Sequence, residues 1–249
     1  MRFGLFVFIV TMCCCILASA FGQASASTLT LLTENYPPYN IVSPLNGQIT
    51  GASTEKIIEL MHRAGQAYTL TSYPWSRALE MTRNDADTCL FSTTRTAERE
   101  SRFKWIGPLV KHNVWTVFAR ADDTRHPASL EELRPYTMGA YRKAAVGDYL
   151  ALKGFTTDLA NYDADNPRKL LYGRFDFWAT GRLLGIATLK AQGLSEKIVP
   201  IFDFHQVEMY LACNVNLSQK RVDRFNRLLR KMEDDGTVAK IEARYKLHK

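Results

Sequence analysis

Short β-rich apolar runs alternate along the chain with stretches whose apolar residues recur at helical spacing. Residues 28–33 (TLTLLT) predict a strand, which ends in the loop Glu34-Asn35-Tyr36-Pro37-Pro38-Tyr39, barred from helix by its prolines. Ile57, Ile58, Met61 and Ala64 share one helical face, with Ser53 as the expected cap and Gly65 as the stop. Strands over 68–73 and 88–91 flank a short helix over 75–81. The alternation restarts at 114–119, an extended apolar stretch, and continues with a helical turn at 129–133, a strand at 137–141 and a helix over 145–152. Asn166-Pro167 opens another helix, with proline at a tolerated early position. A strand over 175–180 (FDFWAT), a helix over 183–192 and strands over 198–202 and 209–215 follow. Two amphipathic helices close the chain. The first lies between Ser218 and Gly236 and turns Val222, Phe225, Leu228, Leu229 and Met232 inward; the second carries Val238, Ile241 and Tyr245. This order predicts an α/β fold with a largely parallel sheet. The restart occurs without a low-complexity linker, which predicts two lobes hinged by extended strands.

The start of the chain has a different character. Arg2 precedes an uncharged run from Phe3 to Leu17, followed by Ala18-Ser19-Ala20 and Ala24-Ser25-Ala26. A positive start, an apolar stretch and an A-x-A site predict a signal peptide over residues 1–26, cleaved after residue 20 or 26. The run is shorter than the roughly 20 residues that span a bilayer. The expected location is therefore the periplasm, an oxidising compartment. Cys13, Cys14 and Cys15 leave with the signal, and the mature chain keeps Cys89 and Cys213. Of 249 residues, 46% are hydrophobic, enough for a sizeable core. The formal net charge is +7, but the basic residues are scattered, and a nucleic-acid partner is not expected.

Catalytic patterns are sparse. His62, His112, His126, His205 and His248 stand apart, and no pair has metal-ligand spacing. The chain has no G-x-S-x-G, P-loop or G-x-G-x-x-G. The acidic pairs Glu131/Glu132 and Asp234/Asp235 sit at helix ends. A binding protein without cofactor or metal is expected rather than an enzyme. The polar constellation with chemical promise is Ser92-Thr93-Thr94-Arg95-Thr96-Ala97-Glu98-Arg99, at the carboxyl end of a buried strand. Hydroxyls, free amides and a guanidinium fork suit a carboxylate ligand. The alternative is that Arg99 pairs with a surface acid.

The order of features resembles the bacterial extracellular solute-binding proteins of family 3, the polar amino-acid-binding group of ABC transporters. The matching pieces are the Tyr36-Pro37-Pro38-Tyr39 loop, Trp75 with its short helix, Asp87 opening a strand, and Ser92-x-Thr94-x-Thr96-x-x-Arg99. Phe103, Gly173-Arg174-Phe175-Asp176 and Asp235-Gly236-Thr237 with Ile241 and Tyr245 complete the series. The resemblance implies a two-lobed periplasmic-binding-protein-like fold of the second type with a double-strand hinge. Lobe one is expected over 27–114 and 208–249, lobe two over 118–204. It implies a monomeric protein that catches a small carboxylate-bearing, amino-acid-like solute between its lobes and delivers it to a membrane permease. A ligand-sensing subunit for a membrane receptor is the alternative role. A dehydratase-like enzyme is a third, with Glu34 or Glu208 as its acid or base.

By this resemblance Arg99 grips the ligand carboxylate, Ser92 and Thr94 add hydrogen bonds, Tyr36 lies over the ligand and Trp75 walls it. The second lobe departs from the pattern. Arg142-Lys143-Ala144-Ala145 replaces the family's Gly-Thr-Thr turn, and Gly181 stands where its amine-binding Asp follows the FDFWAT strand. A buried ammonium without its partner is costly. Either Glu34 supplies the missing carboxylate, or the ligand has no amine and Tyr141, Arg142 or Trp178 reads something else. Gly181→Asp is expected to restore the amine partner. Family topology also makes the strands of Cys89 and Cys213 neighbours, joined by a disulfide or carrying two buried thiols.

Overall fold

The computed structural model describes residues 27–247; the expected signal peptide over 1–26, with Cys13, Cys14 and Cys15, lies outside the described residues. The first part of the chain runs β1 (Leu29–Thr33), β2 (Ile41–Val42), β3 (Ile49–Thr50), α1 (Ala52–Ala64), β4 (Tyr68–Ser72), α2 (Trp75–Asn84), β5 (Thr88–Thr94) and α3 (Ala97–Glu100). The long strand β6 (Phe103–Arg120) then leads to β7 (Met138–Tyr141), α4 (Ala145–Leu152), β8 (Thr157–Ala160), α5 (Asn166–Leu171), β9 (Phe177–Gly181) and α6 (Arg182–Gln192). A second long strand, β10 (Ile198–Asn214), returns to α7 (Gln219–Asp234) and α8 (Thr237–Arg244).

Eight strands form one sheet in the order β4-β1-β5-β10-β6-β9-β7-β8. The expected α/β fold is present, but the sheet is mixed rather than largely parallel. β1 pairs parallel with β4 and β5, and β7 pairs parallel with β8 and β9, whereas β5/β10, β10/β6 and β6/β9 are antiparallel. The cause is that the stretches read as separate short strands at 198–202 and 209–215 are one strand of 17 residues, paired with the 18 residues of β6. Residues 204–208, too polar to read as strand, keep β pairing through Trp115↔His205 and Val114↔Gln206, while the register slips on either side of them. These two strands cross from one lobe to the other, so the molecule is two-lobed with a β-ribbon at its centre.

Each lobe has a core cluster of its own, and a third buried cluster, with Leu32, Trp75 and Leu90 on one side and Val117, Met138, Tyr141 and Phe177 on the other, joins the two. In lobe one, Ile57, Leu60 and Met61 of α1 and Val222, Phe225, Leu229 and Met232 of α7 pack with Leu29, Leu31 and Leu211. In lobe two, Phe118, Leu170, Phe175, Trp178, Leu189 and Ile198 pack together. Helix α1 starts differently from the sequence reading. Its N-cap is Gly51, at φ 113°, while Ser53 lies inside the helix. A Cβ on Gly51 would lie 2.4 Å from the Tyr39 carbonyl oxygen, so the close approach of the Tyr36–Asn40 turn selects glycine. Gly65 ends the helix in the left-handed conformation, as expected.

Cys89 of β5 and Cys213 of β10 are register partners and form a disulfide across 124 residues of sequence. Among the described residues, no helix is long and apolar enough to cross a membrane.

Candidate functional site

The strand ends of lobe one point their polar residues at lobe two. β1 delivers Glu34 and Tyr36 just past its carboxyl end, β5 delivers Ser92 and Thr94 near its own, α2 begins at Trp75, and α3 carries Arg99. Facing them are Tyr141 at the end of β7, the turn into α4, and Gly181 at the end of β9. These residues line one cavity between the lobes, together with Trp115, Thr180 and Met209. Of the expected site residues, Glu34, Tyr36, Trp75, Ser92, Thr94, Arg99 and Tyr141 are brought together there.

Arg142 is not. Its side chain is exposed, and its Nε donates to Asn161 Oδ1 at 3.2 Å, away from the cavity. Trp178 also lies elsewhere: it is fully buried in the lobe-two core, and its Nε1 donates to Asp163 Oδ1 at 2.9 Å. Glu208 is exposed, accepts from Tyr210 Oη at 2.5 Å and belongs to a shallow surface depression.

Arg99 is buried, with 6% relative exposure, on a four-residue helix. Its Nη1 donates to the Thr94 carbonyl at 3.2 Å and its Nη2 to the Lys143 carbonyl at 2.7 Å. The Trp75 Nε1 donates to that same carbonyl at 2.6 Å, and the guanidinium lies 5.5 Å from the Trp75 ring. Lys143 holds this carbonyl in place with a left-handed backbone, φ 61°. Both readings of Arg99 thus contribute to the geometry. It faces the cavity, and it also makes a long ion pair, 3.4 Å, with the half-exposed Asp148. Burial opposes its charge, and Asp148 is the main compensating group.

Across the cavity, Tyr141 Oη donates to Glu34 Oε1 at 3.1 Å. Burial pushes the Glu34 carboxyl up to about 8; the Tyr141 hydrogen bond counters this, Asp163 adds to it and Arg99 opposes it. At neutral pH Glu34 is therefore largely protonated. Behind the site, Asp163 collects three donors, Trp178 Nε1, Thr180 Oγ1 and Asn166 Nδ2; burial still raises it to about 6.

Gly181 has a steric role that the sequence did not disclose. A Cβ there would lie 2.3 Å from Tyr36 Oη, a group that accepts from Asn113 Nδ2 at 3.3 Å. In this arrangement Gly181→Asp would have to displace the Tyr36 hydroxyl, so an amine partner at this position requires that side chain to move. Ser92, at φ 59°, is held by its Oγ donating to Asn40 Oδ1 at 2.9 Å. Asn40, Asn113, Asp163 and the Lys143 carbonyl were missed in the sequence. Asn40 follows the Tyr36-Pro37-Pro38-Tyr39 motif directly and was within reach of that reading; a main-chain carbonyl leaves no residue signal.

The central cavity measures about 20 Å³, room for about one water molecule. Larger cavities adjoin it. One of about 430 Å³ shares Glu34 and Trp75 and includes Asp163 and Asp165. The other, of about 730 Å³, shares Arg99 and Trp115 and borders the spanning strands.

The family model for bacterial extracellular solute-binding proteins, family 3, matches residues 29–248. No curated protein sequence matches the chain. Among solved structures, a histidine kinase sensor domain with similarity to periplasmic binding proteins is similar at TM-score 0.81 and 21% identity, over 88% of this chain and 95% of that one. An ancestral arginine-binding protein bound to arginine is similar at TM-score 0.77 and 17% identity, over 89% and 99%. The GluR0 ligand-binding core from Nostoc punctiforme, in complex with L-glutamate, is similar at 0.74 and 15%, over 87% and 98%. At these identities the likeness is one of fold.

Proposed function

Because the chain belongs to the bacterial extracellular solute-binding proteins of family 3, we propose that it captures a small carboxylate-bearing, amino-acid-like solute between its lobes and delivers it to a membrane permease. The working compartment is the periplasm. The observation that carries this reading is Arg99, a buried guanidinium at the inter-lobe cavity whose Nη2 is met by a main-chain carbonyl oxygen of the opposite lobe. A ligand carboxylate answers the same donors with a full charge and a matching fork. The room of about 20 Å³ means that the ligand enters by parting the lobes and taking the place of the Lys143 carbonyl. The two lobes, 27–114 with 208–249 and 118–204, move as bodies about β6 and β10.

Gly181 offers no acceptor for an amine, so a ligand ammonium turns to Glu34. Binding rather than catalysis is the role we propose, in keeping with the family; Glu34 is engaged with Tyr141 and Glu208 lies outside the cavity. The likeness to a histidine kinase sensor domain supports a second reading, in which the same bound state is presented to a membrane receptor. Mass spectrometry of small molecules released from the purified protein, followed by calorimetry with the compound found, tests the proposal. A carboxylate that binds wild type and loses affinity in Arg99→Ala is expected; a ligand without an acidic group, or one indifferent to Arg99→Ala, overturns it.

A further inference from the structure

The cavity of about 730 Å³ beside the spanning strands is far larger than the central one, and Arg99 borders both. Its cationic lining is Arg83, Arg95, Arg99, Arg102 and Lys143; its acids are Glu98 and Asp148. The cations are not equivalent. Arg95 is forked onto Glu100 through Nε and Nη2, and Arg83 is paired with Glu80 at 3.5 Å. Arg102 and Lys143 are exposed, and neither side chain makes a hydrogen bond or ion pair with another described residue. They belong to opposite lobes, Arg102 just past α3 and Lys143 in the turn before α4.

Asp148 shows how an anion meets Arg99 from this side. Its carboxylate reaches Nη2 at 3.4 Å, a long contact, and its side chain is 55% exposed. An external carboxylate can take this place without breaking a well-made bond. Exchanging one carboxylate for another gains little, however, since Asp148 already supplies the charge. A second anionic group changes the balance, because it reaches Arg102 or Lys143, neither of which is held in an ion pair; Arg102 feels only the attraction of the exposed Glu98 carboxylate.

We infer that this hinge-side cavity is a second ligand site, selective for a small dianion that bridges Arg99 and the Arg102–Lys143 pair across the lobes. Its occupant displaces Asp148 and shares Arg99 with the ligand of the central cavity, so the two sites are coupled through one guanidinium. The inference goes beyond the proposed capture of an amino-acid-like solute.

Calorimetry on the purified protein, with succinate as the dianion and acetate as the monoanion at matched ionic strength, tests it. Succinate is expected to bind at least about tenfold more tightly than acetate, and Arg102→Ala or Lys143→Gln to weaken succinate by about tenfold. Asp148→Asn is expected to tighten it, by removing the competing carboxylate. Circular dichroism verifies that these exposed substitutions leave the fold intact. Succinate no tighter than acetate, or unchanged by Arg102→Ala, or weakened by Asp148→Asn, overturns the second site. If Arg102→Ala weakens succinate and a panel of amino acids equally, both use one site; the second site is then wrong while the cleft reading stands. If succinate behaves as expected and no amino acid or monocarboxylate binds, the cleft reading alone is at fault.

Discussion

The lobe that holds β1, β4 and β5 meets the cleft with side chains: Glu34, Tyr36, Trp75, Ser92, Thr94 and Arg99. The lobe that holds β7, β8 and β9 answers mostly with main chain: the Lys143 carbonyl, which receives Trp75 and Arg99, the Arg142 carbonyl, which receives Ser76 Oγ at 3.2 Å, and the bare Cα of Gly181 under Tyr36. Tyr141 is the polar side chain by which lobe two reaches Glu34. Such an arrangement divides the work. On the proposed reading, one face carries the charge and chooses the chemistry of a ligand. The other face is a mould whose fit depends on backbone shape.

This division is best broken at Arg99. Losing one side of a desolvated charge pair costs about 2–5 kcal/mol, or roughly 30- to 4,000-fold in affinity. Calorimetry with the released ligand should show Arg99→Ala in that range, and Arg99→Lys well below wild type, since an ammonium lacks the fork. The covalent tie of lobe one comes next. Removing a native disulfide of this loop length costs about 2–5 kcal/mol of stability, so Cys89→Ala with Cys213→Ala should lower the urea midpoint clearly. An unchanged midpoint would mean that neighbouring strand pairing alone carries the lobe.

The mould is tested at Gly181. Gly181→Ala puts a methyl 2.3 Å from Tyr36 Oη and should destabilise the closed cleft by about 1–3 kcal/mol. Tyr36→Phe in the same chain should recover much of this, as read by thermal unfolding; a lack of recovery would assign the cost to lobe two itself.

The pH dependence is subtler. Glu34 is raised from 4.5 to about 8, so its contribution to folding is present below pH 4.5 and is lost as pH rises toward 8. Glu34→Gln should flatten that part of the stability curve. A ligand ammonium beside Glu34 favours the carboxylate, so an amine-bearing ligand should release a proton on binding at pH 7 and bind more tightly as pH rises from 5 to 8. A carboxylate without an amine should release none. Calorimetry in two buffers of different ionisation enthalpy distinguishes them. The smallest effect belongs to Arg142→Ala, which should change affinity by less than about 0.5 kcal/mol, as expected of an exposed side chain. A larger loss would bring this side chain back to the ligand.

The same division explains what the sequence disclosed. Arg99, Ser92, Thr94, Tyr36 and Trp75 were legible because their chemistry resides in their side chains and their order along the chain carries it. Helical faces such as Val222, Phe225, Leu229 and Met232 were legible for the same reason: periodic burial leaves a periodic trace. Arg142 misled, because a charged residue in the right segment was read for its side chain while the turn works through the carbonyls of Arg142 and Lys143. Gly181 was read for the acid it lacks; the oxygen of Tyr36 packed against it left no mark in the sequence. The long strands were cut short because His205, Gln206 and Glu208 are exposed and polar, although the ribbon pairs through them.

The Cys89–Cys213 bond has a consequence for topology. It joins the chain before it leaves lobe one to the chain after it returns, so all of lobe two lies within one closed covalent ring. A protease that nicks an exposed turn of lobe two, for instance beside Tyr172, would cut the backbone without parting the molecule. The fragments would separate on a gel only after reduction, and lobe one would keep both of its ends in register while its guest domain was opened.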